Sequence, residues 1–533
     1  MKLTRILALA LALGLAWGAA PAGAAVDQPE DTLVYAWSNN IGPLNPHGFG
    51  VNQMFGQALV YEPLVQYGPG GEIKPWLAES WTISEDGRVY TFKLRPDVVF
   101  SDGSPFTAQV AVKNFEHIMG AKPDWLEVAV LTESYEALDD HTFRLTLKEP
   151  YAAALQELTL VRPLRFLGLA GFPDEGLTLG GIKKPIGTGP WMLVETRLGE
   201  YDLLERNEKY WGEKPKFKRL MIKAIPDATS RAVALETGEI DLVATAIMDH
   251  GSSGVNPDAF RQLSAGSVYD SRFSIPRNTR LLALNSAREP TNELAVRKAI
   301  TAAVNRPALI RGVLLEQELP AEELLDPSTP YCDISLTPYK YDPAEAGRLL
   351  DAAGWRLEPG RTVRVKDGRE LIVELQFLSN EQIMRSIAEV VKQDLAQVGI
   401  QADLIGLDSG AFGQAQHDGD FGLIFCESNG APYDPFTYLS AMRTSGHADY
   451  QAQRGLPGKD KINADISRAM RATDPAELQA LIGGVLTALH EEAVYLPISR
   501  TVDKALYKKD NLTGFEFNPV SYDLPFIKLE RVK

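Results

Sequence analysis

The segment from 365 to 426 constrains the fold more than any other part of the chain. VRVKDGRELIVELQF predicts a β-hairpin that turns at Asp367 and Gly368, with its second arm running on to Phe377. The apolar residues of EQIMRSIAEVVKQDLAQVG then recur at helical spacing until Gly399, which predicts the end of the helix. IQADLIGL and DFGLIFCE are typical of strands, so the segment predicts a strand–helix–strand crossover of the kind found in parallel sheets.

The loop after the last of these strands is the first place where we expect a ligand. In open α/β sheets, ligands bind beyond the carboxyl ends of the strands. Residues Cys426 to Tyr433 occupy that position and lead into GAPYDPFTYLSAMRTSGHADYQAQRGLPG, where His447 lies in a polar, glycine-flanked context. From this context alone a solvated loop histidine is the more frequent case, and a ligand to a bound species is the alternative.

Other stretches support a mixed α/β fold class. TLVYAW, RVYTFKLR and TFRLTLK predict strands, and AQVAVKNFEHIM predicts a helix. PTNELAVRKAITAAVNRPALI predicts a helix with Thr291 as its N-cap and an end near Asn305, before Pro307. GTGPW at 187–191 predicts a turn, because Pro190 prevents the helix that would follow a phosphate-binding loop. A length of 533 residues with 45% apolar content implies two or more domains.

Residues 1–24 predict a cleavable secretory signal peptide. MKLTR is positively charged, an apolar run extends to about Trp17, and Ala-Gly-Ala at 22–24 fits the small-x-small cleavage pattern. Neither cysteine, Cys332 or Cys426, lies near this site, so we expect no lipid anchor and a soluble periplasmic protein. The sequence leaves open whether these two cysteines form a disulfide.

Charge and motif content exclude several classes of function. The formal net charge is −16, and removal of Lys2 and Arg5 with the signal peptide makes it −16 − 2 = −18, which disfavours binding to nucleic acid or anionic membranes. The chain has no G-x-S-x-G, H-E-x-x-H, P-loop or strand-following G-x-G-x-x-G motif. A binding protein is therefore favoured over an enzyme such as a secreted hydrolase.

Several stretches resemble the solute-binding proteins of peptide and nickel ABC importers. Four of them resemble the family in general, namely RNEKYWGEKP (206–215), RAVALETGEIDL (231–242), IGTGPW (186–191) and TNELAVRKAITAAVNR (291–306). Five more are similar to its periplasmic nickel-binding members, namely GPLNPHGFGVNQMFGQALVYEPL (42–64), DWLEVA (124–129), LVRPLRF (160–166), GAPYDPF (430–436) and SGHADYQAQ (445–453). The match runs through nearly the whole chain after the signal peptide.

The resemblance implies a two-lobed clamshell of the type II periplasmic binding-protein class, in which the second lobe interrupts the first. The expected boundaries are 25–270 for the first part of lobe 1, 271–499 for lobe 2 and 500–533 for the return of lobe 1. The family implies a monomer without a resident cofactor that captures nickel with a small organic chelator, such as histidine, when the lobes close. Its partners would be an ABC permease and its ATPase subunits at the inner membrane. The alternative is a receptor for an oligopeptide or an opine-type metallophore.

The resemblance also implies roles for individual residues. His447 falls on the family's metal-coordinating histidine, since a neutral imidazole is a good nickel ligand. Arg162 falls on the arginine that binds the chelator's carboxylate through its planar fork of donors. Met54, Trp125 and Tyr433 fall on positions that line the ligand cavity.

Four positions depart from the family's pattern. Asn429 replaces a tryptophan, Phe49 replaces a tyrosine, Lys122 replaces an arginine, and Arg500 stands where nickel-binding members have tyrosine. These exchanges remove an aromatic wall and change the balance of positive charge. If the four residues face the ligand, we expect a larger and more acidic chelator than histidine.

Overall fold

The computed structural model describes residues 30–48, 54–123, 125–245 and 254–532. The predicted signal peptide and the predicted cavity residue Phe49 lie outside these ranges. Among the helices in the described ranges, none combines the length and the apolar character that a bilayer-spanning segment requires.

The first lobe contains a mixed seven-stranded sheet and an antiparallel four-stranded sheet. The seven-stranded sheet has the spatial order Tyr269–Phe273, Lys504–Lys508, Leu242–Ala244, Thr32–Trp37, Arg219–Ala224, Tyr201–Arg206 and Trp191–Arg197. The four-stranded sheet has the order Ala78–Ile83, Val89–Leu94, Thr142–Leu147 and Thr132–Asp139. Within the larger sheet, Thr32–Trp37 is parallel to both of its neighbours, and the other pairs are antiparallel. The strands predicted from TLVYAW, RVYTFKLR and TFRLTLK are confirmed.

The second lobe is built around a six-stranded sheet. Its spatial order is Leu319–Pro320, Tyr495–Arg500, Thr279–Leu284, Leu423–Glu427, Ile372–Leu378 and Gln401–Leu407. The last three strands are mutually parallel, and helix Gln382–Gln397 connects two of them, so the predicted crossover is confirmed. Gly399 follows the helix with φ +81°, a conformation that favours glycine. The predicted turn at Asp367 is confirmed by a ribbon that pairs Val365–Lys366 with Arg369–Glu370. The prediction that its second arm runs on to Phe377 is wrong, because Ile372–Leu378 is a separate strand of the six-stranded sheet.

Helices pack against the sheets of both lobes. In the first lobe they are Met54–Val60, Ala108–Gly120, Glu127–Leu131, Ala154–Glu157, Ala228–Thr237 and Pro257–Ser264. In the second lobe they are Leu294–Ala303, Arg306–Gly312, Pro343–Ala352, Gln382–Gln397, Ser409–Asp418, Phe436–Ala441, Ala448–Gln453, Lys459–Arg471 and Pro475–Glu491. Two further ribbons pair Val65–Tyr67 with Ile73–Pro75 and Leu512–Thr513 with Glu530–Arg531, and 3₁₀ turns lie at Pro69–Gly71, Leu169–Gly171 and Thr178–Gly180.

The helix predicted from PTNELAVRKAITAAVNR is shorter than its apolar pattern. It spans Leu294–Ala303, and the prediction of Thr291 as its N-cap is wrong. The Thr291 hydroxyl instead donates a hydrogen bond to the carbonyl oxygen of Asn285, at 2.7 Å. Asn305 caps the following helix, Arg306–Gly312, by accepting a hydrogen bond from a backbone N–H of its first turn. Local bonds from a threonine hydroxyl to nearby carbonyls compete with capping, which explains the error.

The GTGPW segment is shaped by a close approach to helix Met54–Val60. The backbone N–H of Gly189 donates to the carbonyl oxygen of Val60 at 2.9 Å. A Cβ atom at Gly187 would lie 1.9 Å from the same oxygen, so no other residue fits there without movement of the backbone. The segment is neither helix nor strand and bends at 188–190, which agrees with the predicted turn.

Two short chain segments connect the lobes. The chain leaves the seven-stranded sheet after Phe273 and enters the six-stranded sheet at Thr279, and it returns between Arg500 and Lys504. The two segments are hydrogen-bonded to each other: the N–H of residue 277 donates to the carbonyl of residue 501, and the N–H of residue 274 donates to that of residue 503, each at 2.9 Å. The lobes are therefore joined by a paired ribbon.

A buried ion pair holds this ribbon together. Arg277 Nε lies 2.7 Å from Asp503 Oδ2, and the two side chains are 3% and 0% exposed. The remaining guanidinium nitrogens donate to the carbonyl oxygens of Pro519, at 2.5 Å, and Asn518, at 2.9 Å. The charged groups are thus satisfied inside the crossing, as burial of charge requires.

The lobes also touch at a distance from the crossing. Gln156 of the first lobe donates its side-chain amide to the carbonyl oxygens of Pro432 and Asp434, the latter at 3.0 Å. Arg471 of the second lobe pairs with Glu149 of the first at 2.6 Å. The structure therefore shows the lobes in contact at the loop that follows Leu423–Glu427 and at helix Lys459–Arg471.

We predict that Asp503→Ala destabilises the protein by about 3–5 kcal/mol, because it leaves the Arg277 guanidinium buried without its counter-charge. Denaturant unfolding followed by fluorescence measures this loss. Asp258→Ala is the matched control, since Asp258 pairs with Arg261 at 2.8 Å on the surface and such pairs contribute little. Equal losses in the two variants would show that the buried pair has no special role.

Candidate functional site

The loop after Leu423–Glu427 is shaped by one buried carboxyl group. Asp434 accepts hydrogen bonds from the backbone N–H groups of Asn429, at 3.1 Å, and Gly430, at 2.8 Å. Burial raises the pKa of Asp434 to about 6, although hydrogen bonds to the carboxyl group act in the opposite direction. These bonds curl the loop and place Asn429, half-buried, and Tyr433, buried, on it.

Tyr433 lies within electrostatic range of Arg162 and Tyr522, which come from the first lobe. All three side chains are buried. Burial lowers the pKa of Arg162, and the phenols of Tyr433 and Tyr522 oppose this effect, so the guanidinium lies within electrostatic range of both rings. Burial likewise raises the pKa of Tyr433 to about 12, with Arg162 acting against it. A cation in such surroundings strongly favours a carboxylate partner.

Met54 lies in the hydrophobic core. It is the first residue of helix Met54–Val60 and is buried. It belongs to the hydrophobic cluster that also contains Tyr433 and Tyr522. Ligand contacts of Arg162, Met54, Tyr433 and Asn429 stay predictions.

His447 is the N-cap of helix Ala448–Gln453, and its ring is held by Asp449. Nδ1 lies 2.9 Å from Asp449 Oδ2, and the two side chains are 41% and 2% exposed. Burial opposes protonation of the ring, but the hydrogen bond and charge of Asp449 outweigh it and raise the pKa of His447. One ring nitrogen is therefore engaged, which leaves the other for a ligand.

Tyr438 connects His447 to the Tyr433 loop. It lies on helix Phe436–Ala441, directly after that loop, and its hydroxyl donates to Asp449 at 2.9 Å. Helix Phe436–Ala441 therefore links Tyr433, in the loop before it, to His447 through the hydrogen bond between Tyr438 and Asp449.

Arg500 is the last residue of strand Tyr495–Arg500 and is engaged by residues of the second lobe. Its guanidinium donates to the carbonyl oxygen of Leu325 at 2.9 Å and pairs with Asp326 at 3.4 Å and Glu323 at 3.5 Å. It also donates to the hydroxyl of Thr279. These are the contacts of a buried structural cation, and a ligand contact of Arg500 stays a prediction.

Lys122 and Trp125 lie at the surface of the first lobe. Trp125 is 39% exposed. Lys122 is exposed and lines a surface cavity of about 420 Å³ together with Met119 and Tyr135. That cavity is lined by none of the other predicted site residues, and ligand contacts of Lys122 and Trp125 stay predictions.

A cavity of about 510 Å³ lies within the first lobe beside Tyr522. Trp76 and Trp211 form part of its wall, and their indole N–H groups donate to the buried carboxyl of Glu62 at 2.8 and 3.0 Å. None of the predicted site residues lines it. We therefore place the candidate site at Arg162 and Tyr433 on the basis of charge, and not in this cavity on the basis of volume.

Histidine, cysteine and acidic side chains do not form a metal-binding group of three or more anywhere in the described ranges. Cys332 and Cys426 are buried and are not joined in a disulfide. The pairing that the sequence left open is therefore not formed.

Four residues of the site were missed by sequence reasoning, namely Asp434, Tyr438, Asp449 and Tyr522. Asp449 had a local signal, because it follows His447 by two residues in SGHADYQAQ. Tyr522 had no local signal, because it lies in the C-terminal return of the chain, far in sequence from the other site residues.

A sequence profile described as "Bacterial extracellular solute-binding proteins, family 5 Middle" matches residues 72–450. The chain belongs to this family. The nickel-binding periplasmic protein of Escherichia coli (strain K12) is 44% identical over 506 residues, which cover 94% of this chain and 95% of that protein. These findings confirm the family and the subgroup resemblance seen in the sequence.

Two solved structures show the same fold. The crystal structure of NikA from Brucella suis in complex with Fe(III)-EDTA has a TM-score of 0.91 and 45% identity, covering 94% of this chain and 99% of that chain. The structure of NikZ from Campylobacter jejuni in complex with Ni(L-His) has a TM-score of 0.78 and 24% identity, covering 95% and 100%. The two-lobed α/β fold of this family 5 protein is therefore confirmed. The boundaries 25–270, 271–499 and 500–533 stay predictions.

We predict that Asp434 makes the stability of this family 5 protein depend on pH. Its folded-state pKa of about 6 lies above the ordinary value of 3.8, so the stabilising protonated form is fully present below about pH 4 and is lost as the pH rises through 6. Wild type should therefore lose roughly 2–3 kcal/mol of unfolding free energy relative to Asp434→Asn between about pH 4 and pH 7. Denaturant unfolding at several pH values measures this difference, and a difference that is constant with pH contradicts the prediction.

Proposed function

We propose that this chain is the periplasmic solute-binding protein of an ABC importer, and that it captures nickel as a complex with a small organic chelator. It delivers the complex to the inner-membrane permease and its ATPase subunits. In this proposal the protein is exported by residues 1–24, acts as a monomer and binds its cargo stoichiometrically without turnover. The 44% identity to a nickel-binding periplasmic protein over 94% of the chain supports it.

The observation that carries the proposal is the environment of His447. Its ring is partly exposed, and its Nδ1 is 2.9 Å from a buried carboxylate. A neutral imidazole with one nitrogen fixed and the other available is a good ligand for nickel. Because one imidazole nitrogen fills one coordination position, the chelator would supply the other ligands.

Arg162 supports a chelator that carries carboxylates. Its guanidinium is buried beside Tyr433 and Tyr522, where a carboxylate would neutralise it at close range. The Brucella suis relative was crystallised with Fe(III)-EDTA, a metal ion held by a polycarboxylate. The ligand would therefore sit with its metal toward His447 and a carboxylate toward Arg162.

A receptor for an oligopeptide or an opine-type metallophore is the alternative. A peptide carboxylate could use Arg162 in the same way, but a metal-free peptide would have no need of His447. The effect of removing His447 therefore separates nickel-complex binding from peptide binding.

We predict that His447→Ala loses most of its affinity for Ni²⁺ in the presence of excess L-histidine, while it still folds with a lower free energy of unfolding, because Oδ2 of the buried Asp449 loses its partner. Ligand at about 100 times its dissociation constant should stabilise wild type by about 2.7 kcal/mol, and the variant should show little of this gain. Thermal unfolding with and without ligand measures the effect. The control is His417→Ala, because His417 also has an aspartate neighbour at 2.8 Å but is 66% exposed. Equal gains in wild type and His447→Ala would exclude metal ligation by His447.

We predict that Arg162→Met weakens binding of the same nickel complex by about 2–5 kcal/mol, because a buried carboxylate would lose its counter-charge. Arg162→Lys should recover part of this affinity, since an ammonium keeps the charge but lacks the planar fork. Isothermal titration calorimetry measures both variants, with Arg261→Lys on the surface as the control. Full affinity in Arg162→Met would show that Arg162 does not contact the chelator.

A further inference from the structure

A network of hydrogen-bonded, buried polar side chains extends from His447 into the core of the second lobe. Asp449 is 1% exposed and has partners on both oxygens. Oδ1 accepts hydrogen bonds from the hydroxyls of Tyr438, at 2.9 Å, and Tyr495, at 2.6 Å. Oδ2 lies 2.9 Å from His447 Nδ1. Such a deeply buried carboxylate is stable because its oxygens are paired with donors.

The hydrogen-bond network continues through Gln453 to Lys459. The side-chain amide of Gln453 donates to the Tyr495 hydroxyl oxygen at 2.7 Å. The Lys459 ammonium donates to Gln453 Oε1 at 2.8 Å and to the carbonyl oxygen of Met442 at 2.8 Å. The side chains of Gln453 and Lys459 are both buried, so water does not compete for these groups.

Between Lys459 and Asp449, the hydrogen bonds of this network all donate in one direction, toward Asp449. An ammonium can only donate, so Gln453 must turn its oxygen toward Lys459 and its NH₂ group toward Tyr495. The Tyr495 oxygen thereby accepts from Gln453, and its proton is left to donate to Asp449. The orientation of the Gln453 amide, which geometry alone does not settle, follows from its lysine neighbour.

Two groups compete for Nδ1 of His447. The Asp449 carboxylate, an acceptor, lies at 2.9 Å and favours a proton on Nδ1. The backbone N–H of Asp449, a donor, approaches Nδ1 at 3.4 Å and favours the opposite tautomer. The shorter distance and the full charge of the carboxylate decide in favour of the proton on Nδ1.

We propose that Asp449 is a positioning residue which, oriented by Tyr438 and Tyr495, keeps the proton on Nδ1 of His447 and so leaves the lone pair of Nε2 to bind the metal. The part of this inference that concerns metal binding rests on the proposed function. The tautomer of the free protein does not rest on it. A ring that is already in the binding tautomer and orientation needs no rearrangement when the metal complex arrives.

His417 provides an internal comparison. Its Nδ1 lies 2.8 Å from Asp418, but the two side chains are 66% and 51% exposed. Because water competes with an exposed carboxylate, His417 should exchange between tautomers, whereas His447 should not.

The first test measures the tautomer without any metal. Nitrogen chemical shifts of ¹⁵N-histidine-labelled protein at alkaline pH, assigned with His447→Gln, report which nitrogen carries the proton. We expect a proton on Nδ1 of His447 and a mixture at His417. A proton on Nε2 of His447, or a mixture like that of His417, would overturn the proposal whatever the protein transports.

The second test measures the affinity for Ni²⁺ with excess L-histidine. Asp449→Asn should weaken binding by about 10–100-fold, and Tyr495→Phe should weaken it less, because loss of a supporting group of this kind reduces metal affinity. Both variants should also shift the His447 tautomer toward a mixture. Tyr507→Phe is the control, because it removes a similar buried hydroxyl that donates to Asp270 at 2.9 Å in the first lobe.

The outcomes of the two tests separate the two proposals. Unchanged affinity and an unchanged tautomer in Asp449→Asn, or in Tyr495→Phe if Asp449→Asn does not fold, would refute the positioning role. Unchanged affinity in His447→Ala would refute metal ligation, while the tautomer would still decide whether Asp449 orients the ring.

Discussion

The buried ion pair between Arg277 and Asp503 is the interaction on which the two-lobed arrangement depends. It joins the two crossing segments where a binding protein of this kind would bend, with Nε and Oδ2 2.7 Å apart and almost no exposure to water. The same guanidinium binds the carbonyl oxygens of Asn518 and Pro519. The C-terminal return, which carries Tyr522 to the candidate site, is therefore anchored to the crossing. A charge pair can do this because separating it inside the protein would be costly.

The candidate site is assembled from parts of the chain that lie far apart in the sequence. Arg162 comes from the first lobe, Tyr433 from a loop of the second lobe, and Tyr522 from the return of the chain, and burial brings their charges and dipoles within range of one another. Gln156 ties the first lobe to the Tyr433 loop through the carbonyl oxygens of Pro432 and Asp434. The site therefore exists as a unit when the lobes are in contact, as expected for a protein that encloses its ligand.

Two buried carboxyl groups of the second lobe have complementary roles. Asp434 curls the loop that carries Tyr433 by accepting backbone N–H groups, and Asp449 holds the ring of His447. Helix Phe436–Ala441 lies between them in the chain and supplies Tyr438 to Asp449. The polar groups that shape this site are thus buried behind the residues that would touch the ligand.

Local sequence patterns determined the elements of secondary structure, because periodicity records which residues of a helix or strand face the core. They predicted the crossover from 365 to 426, and the family motifs predicted the two lobes together with Arg162, Tyr433 and His447 as the residues to test. The prediction of Thr291 as a helix N-cap was wrong, because its hydroxyl donates to a nearby carbonyl oxygen instead. Only the tertiary structure decided the partners of Arg500 in the second lobe, the placement of Tyr522 within electrostatic range of Arg162, and the tyrosines that hold Asp449. These contacts join residues far apart in the chain, and a side chain's hydrogen-bond partner depends on how whole elements pack, which leaves no periodic signal in the sequence.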